Sequence, residues 1–233
     1  MSSNLLKFYK IFSNTWDHLQ QARDPKSDIN QIKFSWTNQL FELLNLELQI
    51  KGQVLSSSSS MILVGNHISY LDILLLLRAC PEACFLSKQE VKYWPIIGPG
   101  AVKAETLFVK RESKKSRQQV RQQIVEALQT SQKKLALFPS GTTTIGPSER
   151  WKKGVFEIAQ EAKIPIQPFR VVYKPLRAAA YIDKDFFPTH VYGLLQQKKM
   201  QAFIEFGTPF NVSNLADDLL RTKAWCEENL QAF

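Results

Sequence analysis

The sequence predicts an α/β fold: a single domain around a central mixed, partly parallel sheet flanked by helices and preceded by an N-terminal two-helix segment. Three observations carry the prediction. From residue 46 onward, short β-rich apolar runs alternate with longer stretches of helical period, the pattern of strands joined by helical crossovers. Two amphipathic stripes come first, with no strand pattern between them. A chain of 233 residues that is 44% hydrophobic is long enough for one substantial core.

In the first stripe, Leu5, Phe8, Tyr9, Phe12, Trp16 and Leu19 fall within an arc of about 100° on a helix, opposite Lys7, Lys10, Asn14 and Gln21. His18 also falls on the polar side. Asp24-Pro25-Lys26-Ser27-Asp28 signals a turn, after which Ile29, Ile32, Trp36, Leu40 and Leu43 repeat the helical period. Such stripes either pack on a core or lie in a lipid surface. The first suits lipid better, being aromatic with lysines opposite. Residues 1–45 thus form an amphipathic helical unit and a candidate membrane-surface anchor, and residues 46–233 form the main domain. Candidate strands lie at 46–50, 61–64, 106–109, 135–138, 166–173, 178–182 and 200–206. Candidate helices lie at 71–80, 113–131, 154–163 and 213–233. The serines at 56–60 read as a loop or hairpin, and His190 falls in a loop opened by Phe186-Phe187-Pro188.

Charge narrows the partners. Thirty Lys+Arg against 21 Asp+Glu give a net charge of +9, which favours phospholipid headgroups, nucleotide-like groups or nucleic acid. Three irregularly spaced cysteines suit neither a disulfide framework nor a metal site, and read as reduced thiols in a cytosolic compartment. The longest aliphatic run, 73–77, is far short of the roughly 20 residues that span a bilayer, and the N-terminus lacks a secretory signal. A lipid-acting protein of this sequence is expected to be peripheral, on the cytoplasmic face of a membrane. Neither a metal nor a cofactor is expected, since no ligand spacing, phosphate loop or dinucleotide fingerprint occurs.

The chemistry-bearing stretch is Gly65-Asn66-His67-Ile68-Ser69-Tyr70-Leu71-Asp72. Five steps rotate a helix about 140° beyond a full turn, so His67 and Asp72 cannot share a helical face. A bend is required, and Gly65-Asn66 supplies it after an apolar strand. Ser69-x-x-Asp72 then has the form of a capping box opening the next helix. Across such a bend Asp72 can hold one imidazole nitrogen and leave the other free to take a proton from an alcohol. Taken singly, Asp72 reads as well as a helix cap, and His67 as a satisfied structural histidine.

Asn66-His67-x4-Asp72 resembles the first motif of the glycerolipid acyltransferases, the family that includes 1-acyl-sn-glycerol-3-phosphate acyltransferase. Leu107-Phe108-Val109-Lys110-Arg111 is similar to the second motif, Phe138-Pro139-Ser140-Gly141-Thr142 to the third, and Ile164-Pro165-Ile166-Gln167-Pro168 to the fourth. The resemblance implies that 46–233 is an acyltransferase catalytic domain. It implies His67 as general base, Asp72 as its orienting carboxylate, and acyl-CoA or acyl carrier protein as donor to a lysolipid hydroxyl. The most common acceptor is 1-acyl-sn-glycerol-3-phosphate, giving phosphatidic acid. Lys110 and Arg111 would pair with the acceptor phosphate, a task suited to a guanidinium fork. An anionic membrane surface would be a further partner.

The third motif departs from the family pattern Phe-Pro-Glu-Gly-Thr, with Ser140 in the Glu position and Thr143 where Arg often follows. Ser140, Gly141 and Thr142 can still offer hydroxyls and amides to a polar headgroup. The loss of the carboxylate opens a second acceptor class, a lyso-ornithine lipid or another lysophospholipid. Glu105 stands where the second motif commonly has Gly. Lys88 and the segment 94–100 resemble the stretch between the first two motifs, read as a turn near the acyl channel.

Two rivals stand against this reading. His67, Asp72 and Ser140 have the composition of a hydrolase triad, but Ser140 lacks the Gly-x-Ser-x-Gly elbow. A basic nucleic-acid-binding module would explain the charge and not the four ordered motifs. Residues 113–131 also carry no aromatic for base stacking, so no nucleic-acid partner is expected.

Overall fold

Alternation decides which side of the sheet each strand residue serves. In the computed structural model, which describes residues 3–55, 60–93, 97–109 and 114–228, strands β1 (Leu46–Lys51), β2 (Met61–Gly65), β3 (Ala83–Lys88), β4 (Leu107–Val109), β5 (Lys134–Leu137), β6 (Ile166–Lys174) and β7 (Met200–Phe206) form one sheet. Their order is β1-β7-β6-β2-β5-β3-β4. Every neighbouring pair is parallel except β6 with β7, so the sheet is mixed, as expected.

Along β2, Met61 and Leu63 face one core while Ile62 and Val64 face the other. The first core is closed by α2 (Ile29–Leu43), α3 (Leu71–Ala79), the short α7 (Leu176–Ala179) and α8 (Phe187–Leu195) through Leu40, Phe41, Leu75, Leu76, Ala179 and Leu194. The second is closed by α5 (Lys114–Thr130), α6 (Gly154–Ala162) and α9 (Leu215–Glu227) through Ile124, Leu128, Phe156, Ala159 and Cys226. Strands buried on both faces read as continuous apolar runs, which is why β2 looks like Met-Ile-Leu-Val.

Several elements differ from the sequence expectation. Ala83-Cys84-Phe85-Leu86, too short to show a period, is the buried strand β3 between β5 and β4. Residues 178–182 are no strand: β6 ends before Pro175, and the alanine-rich segment winds into α7. His190 lies in a helix, α8, which starts with Pro188 in its first turn where the ring costs no hydrogen bond. β1 pairs with β7 and β2 with β5 and β6, so the two strands on either side of the serines do not pair with each other; residues 56–59 lie outside the described residues. Of the stretch 94–100, residues 97–100 open a further helix, α4 (Ile97–Lys103). Glu105 has φ of 57°, the left-handed conformation that glycine tolerates best, which accounts for the glycine common at that place.

The N-terminal helices α1 (Ser3–Gln21) and α2 pack on each other. Asp28 caps α2, accepting from the backbone N–H groups of Asn30 (2.9 Å) and Gln31 (3.2 Å). The inward face of α1 is mixed, with Phe8 of the stripe and Ile11 packed against the first core. Asn14 and His18 are buried, with His18 hydrogen-bonded to the Asn14 carbonyl (2.8 Å) and to Ser35 Oγ of α2 (3.2 Å). Leu5, Tyr9, Phe12 and Trp16 are exposed, Tyr9 by 65%. Among the described residues no helix is long and apolar enough to cross a membrane.

Candidate active site

The carboxyl ends of the parallel strands β2, β5 and β6 converge at the centre of the sheet. From there the chain leaves β2 toward β3 on one side, and leaves β5 toward β6 on the other. Such a switch point opens a crevice where ligands bind in α/β sheets.

At the end of β2, Gly65 leaves no room for a side chain: a Cβ there would stand 2.4 Å from the Phe169 ring of β6. Asn66 extends the pairing one step beyond the strand. It accepts from Val171 N (2.8 Å) and donates to Val171 O (2.9 Å). The chain then bends, and α3 carries Asp72 back to His67.

The expected dyad is formed. His67 Nδ1 lies 2.7 Å from Asp72 Oδ2. The same oxygen accepts from Ile68 N (2.8 Å) and Ser69 N (3.1 Å), and Asp72 Oδ1 accepts from the Tyr173 phenol (2.7 Å). A carboxylate only accepts, so the proton on this bond belongs to His67 Nδ1, and in the neutral ring Nε2 carries the lone pair. Nε2 has no hydrogen-bond partner among the described residues. The imidazole side chain is 20% exposed whereas Asp72 is wholly buried, so one nitrogen is held from inside while the ring stays within reach of solvent. Phe138 supports the ring, stacked with centroids 4.0 Å apart.

The capping box is only half made. Asp72 returns to the Ser69 N–H as expected, but Ser69 Oγ makes no hydrogen bond among the described residues, and the residue preceding α3 is Tyr70. Tyr70 donates to His190 Nδ1 (2.9 Å), because His190 Nε2 gives its proton to the Ala180 carbonyl (2.9 Å). Burial first of all holds His190 below its ordinary pKa, which suits the neutral ring this chain requires. His190 therefore has two partners that its position in the sequence did not reveal.

The loop after β5 carries Ser140, Gly141 and Thr142 at the same sheet edge as His67. Thr144 N donates to the His67 carbonyl (2.8 Å), and Thr143 Oγ1 donates to the Tyr181 carbonyl. Gly141 has φ of 72° and Lys152 Nζ lies over it, where a Cβ would be 2.5 Å away. Ser140 Oγ donates to the Thr142 carbonyl (2.8 Å), not to His67, so the serine–histidine contact of a hydrolase triad is not made. The far end of the loop is anchored by Glu227 of α9, which accepts from Ser148 N (3.1 Å), Ser148 Oγ (2.6 Å) and Trp151 Nε1 (2.9 Å). Burial pushes the Glu227 carboxyl up, and the donors Lys223, Ser148 and Trp151 outweigh it, leaving it below its ordinary value.

Lys110 and Arg111, the expected acceptor-phosphate ligands, lie outside the described residues. Further along, Arg121 of α5 is taken up by Glu157 (3.0 Å) and Glu161 (2.6 Å) of α6, which ties α5 to its neighbour. Sequence reasoning missed Tyr173, Phe138 and Glu227 as parts of the site. Only Tyr173 left a signal: it continues the alternation Phe169, Val171, Tyr173 toward the core that α3 covers.

A family model described as Acyltransferase matches residues 47–172. The chain is 34% identical over 203 residues to the lyso-ornithine lipid O-acyltransferase of Pseudomonas aeruginosa, which covers 83% of this chain and 76% of that protein. It is 25% identical over 195 residues to the 1-acyl-sn-glycerol-3-phosphate acyltransferase of Neisseria gonorrhoeae, with 81% and 75% covered. The crystal structure of the 1-acyl-sn-glycerophosphate (LPA) acyltransferase PlsC from Thermotoga maritima superposes with a TM-score of 0.72 over 98% of this chain and 94% of that one, at 17% identity.

Proposed function

The chain belongs to the acyltransferase family, and from that premise we propose that it is a peripheral lysolipid O-acyltransferase in which His67 is the general base. The observation that carries this reading is the Asp72–His67 hydrogen bond, which leaves Nε2 unpaired at the crevice. Nε2 takes the proton of the lysolipid hydroxyl as its oxygen attacks the thioester carbonyl of acyl-CoA or acyl carrier protein. The tetrahedral adduct collapses, the new ester forms as the carbon–sulfur bond breaks, and Nε2 returns the proton to the leaving thiolate. Asp72 stabilises the imidazolium between the two transfers.

Two acceptors compete. The family pattern favours 1-acyl-sn-glycerol-3-phosphate, with Lys110 and Arg111 on its phosphate and Ser140, Gly141 and Thr142 beside its glycerol. Lyso-ornithine lipid is the second reading, favoured by the higher identity to the P. aeruginosa enzyme and by the serine in place of the third-motif carboxylate. The exposed stripe Leu5, Tyr9, Phe12 and Trp16, on a chain of net charge +9, supports attachment of α1 to an anionic membrane surface on its cytoplasmic side.

The test offers acyl-CoA and acyl carrier protein with a panel of lysolipids to wild type, His67→Ala and Ser140→Ala. His67→Ala is expected to lose at least about two orders of magnitude in rate. Full activity in that variant removes the mechanism. Ser140→Ala is expected to retain transfer, and a trapped acyl-serine in wild type would instead establish the hydrolase reading. Replacing Tyr9, Phe12 and Trp16 by serine is expected to abolish flotation with anionic vesicles while leaving turnover of soluble short-chain substrates intact; unchanged flotation would assign the stripe another role.

A further inference from the structure

We infer that Tyr173 is a positioning residue of the reaction, acting through Asp72 on the proton affinity of His67. The inference rests on the general-base reading of His67.

The two oxygens of Asp72 are unequally supplied. Oδ2 accepts three hydrogen bonds, from His67 Nδ1, Ile68 N and Ser69 N, all from its own strand-to-helix connection. Among the described residues, Oδ1 accepts from the Tyr173 phenol alone, reached across 101 residues of sequence. Tyr173 is 2% exposed and Asp72 fully buried, so water cannot replace the phenol without opening the core. Burial, and then the Asp72 charge beside it, push the phenol well above its ordinary range, so it keeps its proton and donates.

Two consequences follow. A carboxylate held at both oxygens cannot rotate, and the imidazole plane it faces is fixed with it. A donor on Oδ1 also draws charge away from Oδ2, which weakens the pull of Asp72 on the imidazole proton. Without the phenol, the carboxylate charge falls more fully on His67, the imidazolium becomes too stable, and more of the enzyme is protonated at neutral pH. Among the described residues, the other titratable groups around the dyad are Tyr70 at the head of α3, with its hydroxyl on His190 of α8, and Lys152 over Gly141 on the loop after β5. Tyr70 is bonded away from Asp72, and Lys152 lies on the exposed side of the loop, so neither stands in for the missing donor.

The experiment compares Tyr173→Phe with wild type and with 2,3-difluorotyrosine placed at 173, whose more acidic phenol donates more strongly in the same shape. For Tyr173→Phe, kcat is expected to fall about 5- to 30-fold at neutral pH with the acceptor KM within about two-fold, and the acid limb of the kcat/KM profile to move up by about half a pH unit or more. The difluorotyrosine enzyme is expected to move that limb the opposite way. The downfield proton resonance of His67 Nδ1 reports the same interaction without turnover and is expected to shift in both proteins. Superimposable pH profiles and an unchanged resonance would overturn the inference, as would a rise in KM at constant kcat. A misfolded Tyr173→Phe protein leaves the difluorotyrosine comparison to decide. If His67→Ala is inactive while Tyr173 changes nothing, only this inference fails; if His67→Ala is active, the general-base reading fails first.

Discussion

Asp72→Asn separates the charge of the dyad from its architecture. The Asp72 side chain is wholly buried and accepts four hydrogen bonds. Asp72→Ala would strand all four donors, at about 1–3 kcal/mol each, a total of about 4–12 kcal/mol. That rivals the whole stability of a domain, about 5–15 kcal/mol, so an inactive Asp72→Ala protein says nothing about catalysis. Asparagine behaves differently because the site dictates its orientation. The N–H groups of Ile68 and Ser69 require an acceptor at the Oδ2 position, so the amide oxygen settles there and still receives His67 Nδ1. The amide nitrogen then faces the Tyr173 hydroxyl, which can accept as well as donate. Tautomer and fold survive, and only the charge opposite the transient imidazolium is lost. The expected result is a denaturation midpoint that corresponds to a loss of under about 2 kcal/mol. With it comes a kcat lower by about two to three orders of magnitude, or about 3–4 kcal/mol in the barrier. Initial rates of thiol release with acyl-CoA and a saturating lysolipid measure the second quantity. An Asp72→Asn enzyme within ten-fold of wild type would refute the reasoning that the buried charge assists the base.

Other substitutions probe what supports the site. Gly65→Ala is expected to lose about 1–3 kcal/mol in a urea titration, because its methyl meets the Phe169 ring; an unchanged midpoint would mean that β6 yields at no cost. Glu227 lies below its ordinary pKa, so its contribution is complete above the unfolded value of about 4.3 and disappears as pH falls through the folded value. Glu227→Gln is accordingly expected to flatten the loss of stability as pH falls below the unfolded value of about 4.3, and curves parallel to wild type would count against the anchoring role. At position 105 the left-handed backbone should make Glu105→Gly more stable than Glu105→Ala by about 1 kcal/mol, although both lose the ion pair with Lys133. The reverse order, measured by thermal denaturation, would remove backbone strain as the reason for the glycine common there.

How much of this was legible beforehand varies with the range of the interactions. The helix α2 follows from a periodic stripe and a turn signal before it, both local, and its observed bounds match the stripe. The strand β3 and the helix α8 were missed because a four-residue apolar run and a Phe-Pro opening carry little periodicity of their own. For α1 the period predicted the helix and could not say which face turns inward. His18, polar by type, is buried where α2 offers it Ser35, while Leu5, Tyr9, Phe12 and Trp16 of the aromatic stripe are left outside and Phe8 packs against the core.

The same division runs through the site. By itself the sequence determined the alternation of strands and helices and the bend between His67 and Asp72, since a glycine-assisted turn and a five-residue spacing are local constraints; the pairing of those two side chains was implied by the resemblance of four ordered motifs. Tertiary structure alone decided that Phe138 stacks on the imidazole, that Glu227 anchors the loop of Ser140, and that Tyr173 completes the hydrogen bonds of Asp72. Each of those contacts joins residues more than 70 positions apart. Local periodicity carries no information about which distant strand lies alongside, and only the packing of both faces of the sheet brings β5, β6 and α9 to the end of β2.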